Sequence, residues 1–209
     1  MATSGYAVID TETTGFGARD RVIEIGVVLL DLDLTPVDAW DTLLNPGRGV
    51  GPTHVHRISA ADVASAPTFD QAAGAVIERL AGRVVVGHNV SFDRRMLNQE
   101  FRRLGHGEPV GGDFSLDTLG LARQLGLSPT SCYTLDFLCS VYRIDRAGAH
   151  AALHDARATA SLFALVARRW AGGPLGQPCG WPGHHAAAGR AVWPTVADRG
   201  FRPLSRTRV

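Results

Sequence analysis

Three short segments carry residue types that do chemistry when they meet. The first is Asp10-Thr11-Glu12-Thr13-Thr14-Gly15. Two carboxylates two residues apart at the end of an extended run project from one face. On a mostly buried face they repel each other, and either take up protons or require cations. Hard divalent ions with oxygen ligands meet that requirement. A solvated strand end that sends both acids into water is the competing reading of this segment alone. The second segment is Gly87-His88-Asn89-Val90-Ser91-Phe92-Asp93. Asn89 or Ser91 can cap a helix there, and Asp93 falls in its first turns, where the helix dipole favours negative charge. By that argument Asp93 is as readily a helix stabiliser as a ligand, and His88 and Asn89 read as turn and cap residues. The third segment is His150-Ala151-Ala152-Leu153-His154-Asp155. On one ideal helix, five positions turn through about 500°, so His150 and Asp155 would diverge. They converge only if His150 lies on the loop before the helix, and Gly148 makes such a loop available. His154 reads as a surface or packing residue.

The elements that position these segments follow from periodicity. Residues 6–10, 22–30 and 37–44 read as strands, the second rich in β-branched residues and the third bounded by Pro36 and Asn45-Pro46-Gly47. Their short links imply antiparallel pairing. Residues 47–67 read as loop, with a short helix over 60–64. From Phe69 the period becomes helical: Phe69, Ala72, Ala73, Val76, Ile77 and Leu80 recur on one side. Residues 84–86 read as a central strand, 91–104 as an amphipathic helix, 114–116 as a strand, and 118–125, 133–142 and 152–170 as helices. Three strands followed by helix–strand–helix units imply an α/β protein with a mixed sheet covered by helices.

Composition bounds the alternatives. The chain has 209 residues, 45% hydrophobic, with a formal net charge of +1. There is no global basic signature of a nucleic-acid binder, so any phosphate-handling charge is local or comes from metal ions. Every basic residue other than histidine is arginine, which suits bidentate phosphate contacts and also reflects GC-rich coding. Three cysteines, Cys132, Cys139 and Cys179, imply neither a disulfide framework nor a zinc site. No secretory leader or span-length apolar run is visible, so a soluble, cytoplasmic protein without membrane association is expected. Composition shifts at Ala171. Residues 1–170 read as one domain and 171–209 as a Gly/Pro/Arg-rich extension in which Trp181, Trp193 and Phe201 interleave with arginines. That extension could bind a nucleic-acid strand or pack its aromatics on the domain surface.

In this order and spacing the three segments resemble the Exo I, Exo II and Exo III motifs of the DEDD exonuclease superfamily. The histidine five positions before the last aspartate is similar to the DEDDh (DnaQ-like) branch, which includes polymerase III epsilon-like proofreading subunits, ribonuclease T and oligoribonuclease. The resemblance spans residues 5–170, and Leu116-Asp117-Thr118 and Tyr133-Thr134-Leu135 also look epsilon-like. It implies a ribonuclease H-like fold, with three antiparallel N-terminal strands plus parallel strands in one sheet. It implies that Asp10, Glu12, Asp93 and Asp155 hold two divalent ions, Mg²⁺ or Mn²⁺, and that His150 is the general base. It implies 3′–5′ hydrolysis of single-stranded DNA ends to nucleoside 5′-monophosphates, in proofreading or repair, with a DNA polymerase subunit as a candidate partner. Thr13, Thr14, Gly15, Phe16, Asn89, Phe92 and His56 are the expected substrate contacts. His56-Arg57-Ile58 resembles the family's His-Gly-Ile loop, but Arg57 stands where the family has glycine, which puts the local backbone shape in question. The alternatives are an exoribonuclease with the same site chemistry, and, in another class, a catalytically silent nucleic-acid binding module.

Overall fold

The computed structural model describes residues 4–107, 110, 114–146, 148 and 150–172. The expectations for residues 173–209 lie outside the described residues. Five strands form one sheet in the order β3-β2-β1-β4-β5: β1 (Tyr6–Thr13), β2 (Val22–Leu30), β3 (Pro36–Leu43), β4 (Val84–Gly87) and β5 (Ser115–Asp117). β1 pairs antiparallel with β2 and parallel with β4, β2 pairs antiparallel with β3, and β4 pairs parallel with β5. This is the expected mixed sheet, with β1 paired on both sides. The first strand runs three residues beyond its sequence-based end, because Thr11 and Glu12 continue the ladder opposite Ile25 and Glu24. Asp10 and Glu12 therefore sit inside a paired strand. The register shifts between Glu12 and Thr13, a bulge at the rim of the sheet.

All nine residues of β2 are buried, which fits a strand covered on both faces. β3 is an edge strand whose first four residues are exposed, and Pro36 is tolerated at its start because a proline there removes no ladder donor.

The helices are α1 (Thr53–His56), α2 (Ala60–Val63), α3 (Phe69–Leu80), α4 (Val90–Arg103), α5 (Thr118–Gln124), α6 (Leu135–Tyr142) and α7 (Ala152–Gly172). On one face α3 and α4 pack Phe69, Val76, Met96, Leu97 and Phe101 against Ala7, Ile9, Ile25 and Val27. On the other, α5, α6 and α7 pack Leu121, Leu138, Leu153, Ala156 and Phe163 against Tyr6, Val8, Val28 and Leu30. Alternation along β1 thus assigns Tyr6, Val8, Asp10 and Glu12 to the α7 face. Truncating a fully buried aromatic such as Phe163 to alanine would cost about 3–5 kcal/mol.

Helix α3 starts where Thr68 and Gln71 form a reciprocal capping box, in agreement with its expected boundary. Helix α1 falls in a stretch read as loop. Its four residues carry too little periodicity to register, and it closes through Arg57, whose N–H donates to the Thr53 carbonyl. Arg57 has φ 59°, the left-handed conformation that a glycine would favour. A non-glycine residue in this conformation carries local strain.

Candidate active site

The C-terminal ends of β1, β4 and β5 lie side by side, the usual ligand position of a sheet with parallel strands. Asp10 and Glu12 project there from β1. Asp93 arrives from the first turn of α4, where it is buried and accepts a 2.7 Å hydrogen bond from the Thr11 hydroxyl. α4 is aimed by its entry. Asn89 takes the N-cap position with φ 69° and no side-chain cap bond, so its expected capping role falls to the backbone. Its N–H donates instead to Asp117 Oδ1 at 2.7 Å. His88 turns inward: its ring nitrogens lie 2.9 Å from Thr118 Oγ1 and 2.8 Å from the Tyr133 carbonyl. Burial pushes His88 below the usual histidine range, which keeps it a neutral link between β4, α5 and the start of α6.

The third segment converges as the loop argument requires. His150 precedes α7, is exposed and has φ 69°, following Gly148 at φ 84°. Ligand atoms of Glu12, His150 and Asp155 all lie within 4.8 Å of one another. The His154 ring packs beside Gly148.

The electrostatics explain what such a cluster requires. Asp10 is held well above the usual carboxylate range, first by burial and then by the charges of Asp93, Asp155, Glu12 and Glu24. Asp93 is pushed up to about 7, chiefly by burial, although the Thr11 hydroxyl opposes the shift. Negative charge is thus concentrated around Asp10. Among the described residues Arg146 reaches in, with Nη2 2.6 Å from Asp155 Oδ1 and Nη1 2.6 Å from Asp136 Oδ1. Several carboxylates and one imidazole form a hard donor set suited to divalent cations rather than to structural zinc.

The expected substrate contacts divide into two groups. Thr13 and Thr14 are buried and spend their hydroxyls on the Gly15 carbonyl and Asp20 Oδ1, so they shape the turn. A Cβ on Gly15 would fall 2.7 Å from Asp20 Oδ2, so glycine lets that carboxylate close the turn. Phe16 is 75% exposed, packs on Phe92 with ring centroids 5.7 Å apart, and has its carbonyl held by Arg95. Asn89 is also exposed at this rim. His56 does not join them. It is 1% exposed, with one ring nitrogen 3.1 Å from the Val50 carbonyl and the other accepting from Ile58 N–H. Its ring anchors the loop after β3 and is not available to a ligand.

Sequence reasoning passed over Thr11, Arg146 and Glu24. Thr11 and Arg146 carry no distinguishing signal. Glu24 does, as the one charge in a nine-residue apolar run.

A carboxylate cluster with a nearby histidine, at the strand ends of a ribonuclease H-like sheet flanked by helices, defines a nuclease-type hydrolase. The chain belongs to the RNase_T family described as Exonuclease, whose model matches residues 7–163. It is 31% identical over 171 residues to the DNA polymerase III subunit epsilon of Rickettsia felis, covering 78% of this chain and 74% of that protein. It is 32% identical over 161 residues to the PolC-type DNA polymerase III of Caldanaerobacter subterraneus, where it covers 76% of this chain but only 11% of the larger protein. Among solved structures, Exonuclease X in complex with 5′ overhanging duplex DNA aligns with TM-score 0.60 and 28% identity, covering 78% of this chain and 91% of that one. E. coli Exonuclease I with a dT13 oligonucleotide aligns with TM-score 0.71 at 20% identity over 80% of this chain and 42% of that one, a likeness of fold. The protein is thus an exonuclease of the DnaQ-like family. No helix among the described residues is long and apolar enough to cross a membrane.

Proposed function

We propose that the protein removes nucleotides from the 3′ ends of single-stranded DNA, releasing nucleoside 5′-monophosphates with the aid of two divalent cations, Mg²⁺ or Mn²⁺. The observation that carries this reading is the convergence of Glu12, His150 and Asp155 within 4.8 Å, beside an Asp10 crowded by further carboxylates. Asp10, Glu12, Asp93 and Asp155 would hold the cations. Bound there, divalent ions supply the positive charge that the attacking and departing oxygens of an in-line displacement demand. His150, exposed beside the acids, takes the proton from the attacking water as general base. The turn at Thr13, Thr14 and Gly15 offers backbone to the terminal nucleotide. Phe16 and Phe92 offer a stacking surface for its base, with Arg95 over the Phe92 ring. DNA is favoured over RNA because the relatives include epsilon subunits of DNA polymerase III and an Exonuclease X bound to duplex DNA. A polymerase subunit is the partner class that the same relatives suggest. Residues 1–170 form the catalytic domain in this reading, and 171–209 an extension.

A 5′-labelled oligonucleotide, supplied as DNA and as RNA with Mg²⁺, Mn²⁺ or EDTA, tests the proposal. The expected result is a ladder of shortening labelled products from DNA, abolished by EDTA. Immediate release of the 5′ label, or equal cleavage in EDTA, would overturn it, and a ladder from RNA alone would reassign the substrate.

A further inference from the structure

Glu24 is 0% exposed on β2, a burial that carboxylates rarely adopt without a firm partner. The strand register sets Glu24 directly opposite Glu12, and Gly26 directly opposite Asp10. These four residues therefore share the face that receives α7. At Gly26 the helix comes so close that an added Cβ would lie 2.3 Å from the Ala152 carbonyl carbon and from Leu153 N, closer than any real contact. One pair of residues along, Glu24 Oε2 accepts a 2.9 Å hydrogen bond from Ala152 N–H. That N–H belongs to the first residue of α7 and has no acceptor within the helix. The helix dipole also favours an anion at this end. Ala152 lies between His150, whose backbone is left-handed, and Asp155, one turn into the helix. Whatever holds Ala152 sets both.

We propose that Glu24 is a positioning residue of the nuclease site: its carboxylate, with Gly26 admitting the backbone, grips Ala152 N–H and so places His150 and Asp155 over Asp10 and Glu12. Its catalytic consequence rests on the function proposed above; its structural part does not. The grip accounts for a fifth acid in a place already crowded with negative charge, where Glu24 adds to the repulsion on Asp10.

The test uses Glu24→Gln, Glu24→Asp and Glu24→Ala, alone and with His150→Ala. Turnover on a single-stranded DNA oligonucleotide with Mn²⁺ is measured beside amide hydrogen exchange across residues 152–155. Glu24→Gln keeps an oxygen acceptor of the same reach, and should retain turnover within about three-fold with normal exchange. Glu24→Ala should expose the Ala152 amide and lower kcat roughly 10–100-fold with little change in KM, the range seen when an outer partner of a metal-site group is removed. Glu24→Asp, which keeps the charge but shortens the reach and preserves more of the packing should the alanine variant not fold, should behave like Glu24→Ala. In the His150→Ala background these losses should shrink, because the positioned base is already gone. An Ala152 amide as protected in Glu24→Asp as in the wild type, or losses that multiply fully with His150→Ala, would overturn the proposal. Wild-type protein without metal-dependent hydrolysis would sink the nuclease reading instead, and the exchange measurement would still decide whether Glu24 holds α7.

Discussion

The two sides of the active site are built on different principles. Asp10 and Glu12 lie in the ladder that β1 makes with β2, just past the Tyr6–Val8 stretch that also pairs with β4, and Asp93 in the first turn of α4 accepts a hydrogen bond from the hydroxyl of Thr11 on the same strand. Each of the three is carried by a regular element. His150 stands on the connection between α6 and α7, exposed and in a left-handed conformation that a non-glycine residue adopts only under constraint. The acids are placed by rigid elements at the cost of mutual repulsion. His150 is instead bracketed by two polar contacts, from Arg146 to Asp155 and from Ala152 N–H to Glu24. The rigid side is suited to holding charge in one place, and the loop side to meeting water and a leaving proton.

Breaking the rigid side should have the largest effect. Asp10→Asn should lower hydrolysis on the order of a thousandfold or more, in line with the loss of a central electrostatic group. At a pH high enough to ionise these acids, the same change should raise the melting temperature of the metal-free protein, because it removes a desolvated carboxylate pressed by four others. A metal-free melting temperature that drops instead would show that the repulsion is not felt. Breaking the loop side should do less: His150→Ala should reduce kcat by about 10²–10⁴-fold, the usual contribution of a general base, while calorimetric titration with Mn²⁺ changes little. A lost Mn²⁺ signal would make His150 chiefly a ligand and erase the distinction between the two sides.

The repulsion also has a pH signature. Asp93, at about 7, and Asp10, raised well above the usual range, retain protons in the fold that unfolded carboxylates lose near pH 4. Between these values the native state binds more protons than the unfolded one, so stability falls as pH rises. Metal-free protein should therefore melt several degrees lower near pH 8 than near pH 5, in scanning calorimetry with EDTA. Added Mg²⁺ or Mn²⁺ should reverse the trend by favouring the ionised acids. A melting temperature that climbs steadily over this range would contradict the buried, crowded charge. The smallest effect concerns a second strained residue, remote in role from the first. Exposed Arg57→Gly should stabilise the fold by about 0.5–1 kcal/mol with activity unchanged, since glycine adopts φ 59° without penalty. Thermal denaturation reads that difference.

Several features were legible from residue order alone. The helix at Phe69–Leu80 and the strand at Val22–Leu30 appear with the boundaries that their periodicity predicts. Each is amphipathic or uniformly apolar and long enough for a pattern to emerge. The four acids and His150 stood out because motif order and spacing survive as local signals. The requirement that His150 precede its helix followed from helical geometry. Other features were invisible for equally physical reasons. Thr11 acts on Asp93 across 82 positions, and Glu24 acts on Ala152 across 128. Arg146 is one arginine among many until the fold sets it on Asp155. His56 looked like a substrate contact until packing turned its ring inward.

Sequence by itself pointed to the candidate groups for chemistry and to the longer strands and helices, because both depend on patterns within a few residues. Only the tertiary structure decided which of those groups meet, how strongly they repel, and which unremarkable residues hold them. Those outcomes arise from strand register and helix seating, where residues distant in the chain become neighbours within a single hydrogen bond.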